Sequence, residues 1–589
     1  MTNAGTILAS SGDGVFLDGG DGNITNKAGG TIGGKLFGVY APAGGVTIAN
    51  AGSIAGGEIG VFADSGNIDN IAGGVITGGV DLRLDGGTVV NAGSITEVSK
   101  ELGSGGGYSF EGLAVSMGGG GRVTNLAGGV IAGGSPATDG ILAGGTGVAI
   151  SGGAGTVVNA GTISGAAEAV VLAAGYANLV VDDPGAVFNG TVNGGNAIGG
   201  PVASTLELAA GGPGTLYNLN IQFIDFSDIV VNKDADWEIL SGSSSRIVAG
   251  QTLTDAGTLF YAGNPNIVGS DVSGKIALAG GQLELGTNLT IAAGGVLTGS
   301  GSVVALDDSG ISVASGGTLG GGSGMLVLQD LLDGSIAGAI DGNEVEFAGG
   351  DVSLAKGVHG SVHTIAVVNA LLFLDPGLGS FVYHGEFDVT GGGTINLSSN
   401  DATLAGPASF LGSGLTAEIT GTSRLTLDGP TQMGSVAIEG SELLVNSGSV
   451  TENGAVTLDN SASLGNAKGG TWNITSDSGI APGSGATGSI TNAGTFEKTA
   501  GSGTSVIAAD FVNNGTIIAT SGTLDFTGGF TNHGRIIENG GTVIVGPEAG
   551  PALFNQYVAG IAAGGAVGAV PAAAPDASPA AVLAAPHTA

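Results

Sequence analysis

The chain has 589 residues, with 122 glycines, 16 prolines, no cysteine, 13 Lys+Arg and 49 Asp+Glu, so its net charge is −36. The missing cysteine excludes a disulfide scaffold, a cysteine nucleophile and cysteine metal sites, and 13 scattered basic residues cannot track a phosphate backbone, so nucleic acid is not an expected partner. Glycine without a strict triplet excludes collagen, and 42% hydrophobic residues with a mean hydropathy of +0.40 exclude disorder over most of the chain.

The N-terminus, Met1-Thr2-Asn3-Ala4-Gly5, carries no basic region, and no apolar core of a signal peptide follows. The expectation is a fragment, a chain that stays inside, or one exported without an N-terminal signal. From Asn3 onward a motif recurs. It reads Asn3-Ala4-Gly5-Thr6-Ile7, then Asn26-Lys27-Ala28-Gly29-Gly30-Thr31-Ile32, and returns at Asn50, Asn70, Asn91, Asn125 and Asn159. The spacings are 23, 24, 20, 21, 34 and 34 residues, and short NAGxI and long NxAGGxI forms alternate. Between the copies lie short apolar runs bounded by glycine: Gly14-Val15-Phe16-Leu17, Gly38-Val39-Tyr40-Ala41, Gly60-Val61-Phe62-Ala63 and Gly147-Val148-Ala149-Ile150. Such runs have the chemistry of strands, and no stretch keeps a 3.6-residue period with caps.

A period near 20 residues holds three short strands and their turns. The predicted fold is all-β, a right-handed parallel β-helix (β-solenoid) of about 18–24 residues per coil. Stacked at about 4.8 Å, on the order of 25 coils would make about 120 Å of rod. Glycine supplies positive φ at the corners. Asparagine tolerates left-handed backbone and can stack into amide ladders, so the recurring Asn is read as a turn residue.

Four stretches follow. Residues 1–195 hold the repeats. Residues 196–400 keep the strand texture without the motif; there Asp234-Ala235-Asp236-Trp237-Glu238-Ile239 alternates acids with apolar side chains, as a half-buried strand does. The glycine-poor segment Val362–Gly377 reads as a strand pair or a short helix. Residues 401–546 return to repeats, with copies at Asn492, Asn514 and Asn532. Residues 547–589 form a tail: Pro551–Val570 is uncharged and apolar, read as a cap on the stack and a poor membrane span, and 571–589 is Pro/Ala-rich and expected to be disordered.

These repeats resemble the passenger regions of bacterial autotransporter adhesins and related β-strand-repeat exoproteins. Ile480-Ala481-Pro482-Gly483-Ser484 with Gly488-Ser489-Ile490 is similar to a segment common in such passengers. Gly214-Thr215-Leu216 through Phe223-Ile224-Asp225-Phe226, with Trp237, resembles a module of alphaproteobacterial surface proteins. The resemblance implies a secreted or cell-surface β-helix with an adhesive role. The translocator barrel of an autotransporter is not in this sequence, so the expectation is a passenger cut from a longer gene or a relative exported another way.

Candidate chemistry is sparse. Asp182 with Asp183, Asp307 with Asp308, and Asp234, Asp236 and Glu238 beside Lys233 are the carboxylate groupings a sugar-cleaving site would need; the simpler reading is solvated turn and outer-face acids. His359, His363 and His384 lie near Glu344, Glu346 and Asp351, but Gly360 argues against the helix that would bring the first two together. Gly19-Gly20-Asp21-Gly22-Asn23-Ile24 is a near miss to a calcium nonapeptide. Gly483-Ser484-Gly485-Ala486-Thr487-Gly488 spells GxGxxG but precedes a strand, not a helix. No catalytic, cofactor or metal residues are assigned; weak diffuse calcium binding is the one ion effect the charge suggests. The sequence reads as a non-enzymatic extracellular or outer-surface protein that adheres or self-associates. Its alternatives are a surface-layer or filament subunit and a carbohydrate-active β-helix enzyme.

Overall fold

The computed structural model describes the chain except residues 98–111, 135–144, 241–246, 263–269, 307, 375–379, 398–400, 413–415, 442, 486–487, 547–556 and 560–589. Every regular element among the described residues is a β-strand, and every strand pairing is parallel within a β-solenoid of about 22 turns. Two compact units divide the chain, Met1–Leu326 and Val327–Ala589.

In the first unit each early coil has three strands. One full coil is Gly22–Asn26, Thr31–Gly34 and the start of Phe37–Asn50, which then runs on as the first strand of the next coil. Ile7, Ile32, Ile54, Ile76, Ile95, Ile131 and Ile163 lie in register, coil on coil, and Phe188 follows them. A second apolar column runs through Val39, Val61, Val80, Val115, Val148, Val170 and Val192. A third passes from Ile24 through Ile48, Ile68, Val89, Val123, Val157 and Val180 to Leu206. From Ile32 and Val39 onward these side chains are buried, each stabilising the stack by roughly 1.5–3 kcal/mol. A parallel stack needs like residues one coil apart, and the recurring motif supplies them whether its copies lie 20 or 34 residues apart.

The recurring asparagine does something other than turn the chain. Asn3, Asn26, Asn50, Asn70, Asn91, Asn125 and Asn159 end their strands, are buried, and avoid positive φ. Each Nδ2 donates to the next Oδ1 at 2.8 Å, or 2.9 Å in the last step, forming one continuous amide ladder. The left-handed conformation falls three residues later in the long form: Gly29 has φ +78° and closes a turn through Gly30 N–H to Lys27 O at 2.8 Å. In the short form the Asn side chain itself closes the turn, as where Gly52 N–H donates to Asn50 Oδ1 at 3.3 Å. Short and long turns therefore reach the same ladder position.

The half of this unit without the motif keeps the same build. Ala235, Trp237 and Ile239 are buried while Asp234 and Asp236 face solvent. Trp237 stacks in register with Leu259, Leu283 and Val303. Its indole N–H donates to Ala209 O at 2.8 Å, which satisfies the one polar atom that burial would otherwise leave costly.

In the second unit eight parallel strands, from Phe381–Tyr383 to Phe530–Asn532, form one separate sheet. It carries a second amide ladder through Asn446, Asn466, Asn492, Asn513 and Asn532, with steps of 2.7–2.8 Å. The ladder residue is Asn513 and not Asn514, which is exposed. Segment 362–377 contributes strands Thr364–Val368 and Leu371–Leu374, which belong to one coil and pair with the coil before; Asn369 at φ +51° turns the chain between them. Of the C-terminal tail only strand Tyr557–Ala559 is described, paired with Ile536–Glu538. The apolar cap otherwise, and the Pro/Ala-rich tail, lie outside the described residues. No helix among the described residues is long and apolar enough to cross a membrane.

Candidate functional site

A surface groove with a cavity volume of about 560 Å³ is lined by Asp234, Ala235, Asp236, Ala256, Gly257, Thr258 and Glu284. Its walls come from three consecutive coils. Asp236 pairs with Thr258 and Thr258 with Gln282; Glu238 pairs with Phe260 and Phe260 with Glu284. Carboxylates thus stand on alternate coils, and Glu238 and Glu284 share a column about 9.6 Å apart by the coil spacing. Glu284 accepts a bond from Gln282 Nε2 at 2.7 Å. An open acidic trough of this kind can accept hydrogen bonds from hydroxyls or attract cations.

The other sequence candidates are dispersed. Asp182 is buried in the ladder column, in register with Asn159 and Leu208, while Asp183 is half-buried in the turn outside it. Burial pushes Asp182 well above the carboxylate range, and the Asp183 charge pushes it further. Asp308 is a turn residue with φ +61°, and Asp307 lies outside the described residues. His359, His363 and His384 are exposed, and His359 Nδ1 sits 2.8 Å from Gly357 O. Glu344, Glu346 and Asp351 occupy one strand pair-bonded to Thr364, Ala366 and Leu371. Among the described residues no group of three His, Cys, Asp or Glu converges on a metal position. Asp21 Oδ1 accepts Gly45 N–H at 3.0 Å, so it caps the next coil. Gly483 follows strand Ile480–Pro482, strand Ser489–Asn492 comes next, and Ser484 N–H bonds the Asp459 carboxylate.

A buried charged cluster among the described residues is not signalled by any motif in the sequence. Lys498 is fully buried, and its Nζ donates to Ser476 O, to Ser505 Oγ at 3.0 Å and to Asp477 Oδ1 at 3.1 Å. The Lys498 ammonium, bonded to Asp477, holds that carboxyl below its usual range. Glu452 lies on the same column two coils earlier, with Ile474 between. Burial pushes Glu452 up to about 8, against the opposing pull of the Trp472 N–H and the Lys498 charge. Trp472 Nε1 donates to its Oε2 at 2.7 Å, and Oε1 has no partner. The signal was the alternation: Glu452 and Lys498 each end a strand in a position where the neighbouring coils carry Met433, Ile474 and Ala519.

Two more ladder members were legible but unread. Asn446-Ser447-Gly448-Ser449-Val450 is a short motif and Asn466-Ala467-Lys468-Gly469-Gly470-Thr471-Trp472 a long one, with tryptophan replacing isoleucine. No protein-family model matches the chain, and no curated protein matches it.

Proposed function

We propose that this chain is an extracellular or outer-surface scaffold whose β-solenoid presents inserted segments for adhesion or self-association. One observation carries the reading. The 34-residue intervals Asn91–Asn125 and Asn125–Asn159 close with ladder bonds of 2.8 and 2.9 Å, the same as the 20- and 21-residue intervals before them. The added residues fall in sequence between the isoleucine strands, Ser94–Thr96 and Val130–Ala132, and the valine strands, Leu113–Met117 and Thr146–Ile150. The chain returns in register each time, at Leu113 and at Thr146. A core that absorbs such insertions without losing a rung suits presentation, as loops on a rigid frame do in many binding proteins. The strong negative charge keeps such a surface soluble and directs it away from anionic partners.

The test couples the purified chain to beads and measures binding to cell and inert surfaces and bead-to-bead aggregation. In a second chain 98–111 and 135–144 are replaced by a Gly-Gly connection like Gly78-Gly79. Binding that disappears in this variant while thermal stability is kept supports presentation. Binding unchanged in the variant moves the activity to the coil faces, and absence of any binding sinks the adhesive reading. Growth in mass in solution favours the filament or surface-layer form of the same idea.

A further inference from the structure

The amide column of the first unit does not stop at Asn159. Register carries it through Asp182, Leu208, Val231 and Asp255 to Leu278. Both aspartates head disguised copies of the motif. Asp255-Ala256-Gly257-Thr258-Leu259 repeats Asn3-Ala4-Gly5-Thr6-Ile7 with a carboxyl in place of the amide and Leu in place of Ile. Asp182-Asp183-Pro184-Gly185-Ala186-Val187-Phe188 repeats the long form, down to Gly185 at φ +86° and the turn bond from Ala186 N–H to Asp183 O at 2.9 Å.

Asp255 is fully buried, and its Oδ1 accepts Gly257 N–H at 3.0 Å. That is the bond Asn91 Oδ1 makes with Gly93 N–H at 3.2 Å and Asn159 Oδ1 with Gly161 N–H at 3.1 Å. The other oxygen, Oδ2, has no partner. It stands where each asparagine places its NH2. In the Asn91 copy that NH2 donates to Gly93 O at 3.2 Å and to Val130 O, in the next coil, at 3.1 Å. Val130 is the residue paired with Ser94, three positions after the asparagine; the residue so paired at Asp255 is Gln282, opposite Thr258. The position is built for a donor facing carbonyl oxygens. An ionised carboxylate offers none and would sit buried against acceptors, whereas a neutral carboxyl supplies one O–H.

We propose that Asp255, and with it Asp182, makes the middle of the first unit a proton-dependent part of the stack, which closes when these carboxyls carry a proton and loosens when they lose it. The surroundings agree. Charged groups on the elements packed round Asp255 are Asp228, Lys275, Asp234, Asp236, Glu238 and Glu284, all exposed or half-exposed on the outer side. Burial pushes Asp255 up to about 7 against the opposing pull of the Gly257 bond. Asp182 faces the Asp183 charge, and Glu207 acts on Asp183 in turn. The folded state holds the proton more tightly than the unfolded chain. The stabilisation is therefore complete below about pH 4 and is lost as pH rises through about 7.

The experiment is hydrogen exchange on the full chain at pH 5 and pH 8, corrected for intrinsic rates, read in strands Thr252–Asp255 and Lys275–Leu285. Native protein should show about a 100-fold rise in the opening equilibrium from pH 5 to pH 8 beyond that of the Asp255→Asn variant. Asp255→Asn replaces the carboxyl by the group the ladder uses elsewhere, so it should fold, gain protection at pH 8 and lose most of the pH dependence. Asp182→Asn should do the same around Leu179–Asp182. The reciprocal change Asn91→Asp should create a pH-dependent opening of strands Val80–Asn91 and Gly121–Asn125. An Asp255→Asn chain that fails to fold, or keeps the native pH response, overturns the proposal, as does an Asn91→Asp chain indifferent to pH.

Discussion

The two amide ladders use one side-chain device beside very different apolar neighbours. Next to the first, seven successive coils place isoleucine in one column. Next to the second, that column reads Val450, Trp472, Phe496, Ile517 and Ile536. Phe511 and Phe526 pack against each other there at 4.8 Å, and Phe526 and Phe530 at 4.9 Å. The ladder step is nevertheless 2.7–2.9 Å in both. Hydrogen bonds are directional and apolar burial is not. The amide column keeps the coils in step, and the apolar columns are free to vary in size so long as the interior is filled. The second unit buries Lys498 and Glu452 near its ladder, and the first buries one carboxyl among its early coils, Asp81, between Val80 and Leu82 of the valine strand.

The largest way to break this comparison is Ile54→Asp. Ile54 is fully buried between Ile32 and Ile76. An unpaired carboxylate there should cost about 4–5 kcal/mol or more. Calorimetry with proteolysis should report loss of structure in residues 1–97; an unchanged thermal profile would contradict the inward assignment. Next is Glu452→Gln. Because burial raises the Glu452 pKa to about 8, its stabilisation is present at low pH and is lost as pH rises through that value. The glutamine keeps an acceptor for Trp472 and should make the second unit roughly 2–4 kcal/mol more stable than native at pH 9, with little difference at pH 5. Equal denaturant midpoints at pH 9 would show that the carboxylate finds a partner when ionised.

Asn50→Ala and Asn492→Ala sharpen the comparison directly. Each removes a buried rung and takes the side-chain acceptor from the NH2 of Asn26 or of Asn466, which keeps only its backbone acceptors. Both should cost about 2–3 kcal/mol despite their different apolar surroundings. A large inequality between them would mean that packing, not the amide column, sets the register. The smallest effects separate the two turn forms. An added Cβ at Gly29 meets nothing within 4 Å, so Gly29→Ala should cost only the backbone term of about 1 kcal/mol. At Gly52 the Cβ would stand 2.2 Å from Gly30 O, so Gly52→Ala should cost more, and thermal melts of the pair should rank that way.

Much of this was legible in one dimension. The period of 20–24 residues from Asn3 to Asn91, the isoleucine four or six residues after each asparagine through Asn159, and the alternation through Trp237 specify strands, coil length and inward faces, because a parallel stack repeats its own sequence one coil away. What the asparagine does was only half visible. A buried amide at a strand end and a turn residue at a corner look alike in a string, and Asn513 and Asn514 differ only in which one faces inward. Likewise Asp182 reads as a solvated acid in the sequence, since carboxyls are usually solvated, and nothing in the string sets Asp255 apart. Register alone puts them in the amide column, just as it puts Lys498 and Glu452 in the interior of the second unit. Local sequence determined the coil. Which polar groups lose their water was decided by the neighbouring coils, because burial and hydrogen-bond partners come from residues about 20 positions away and not from the segment itself.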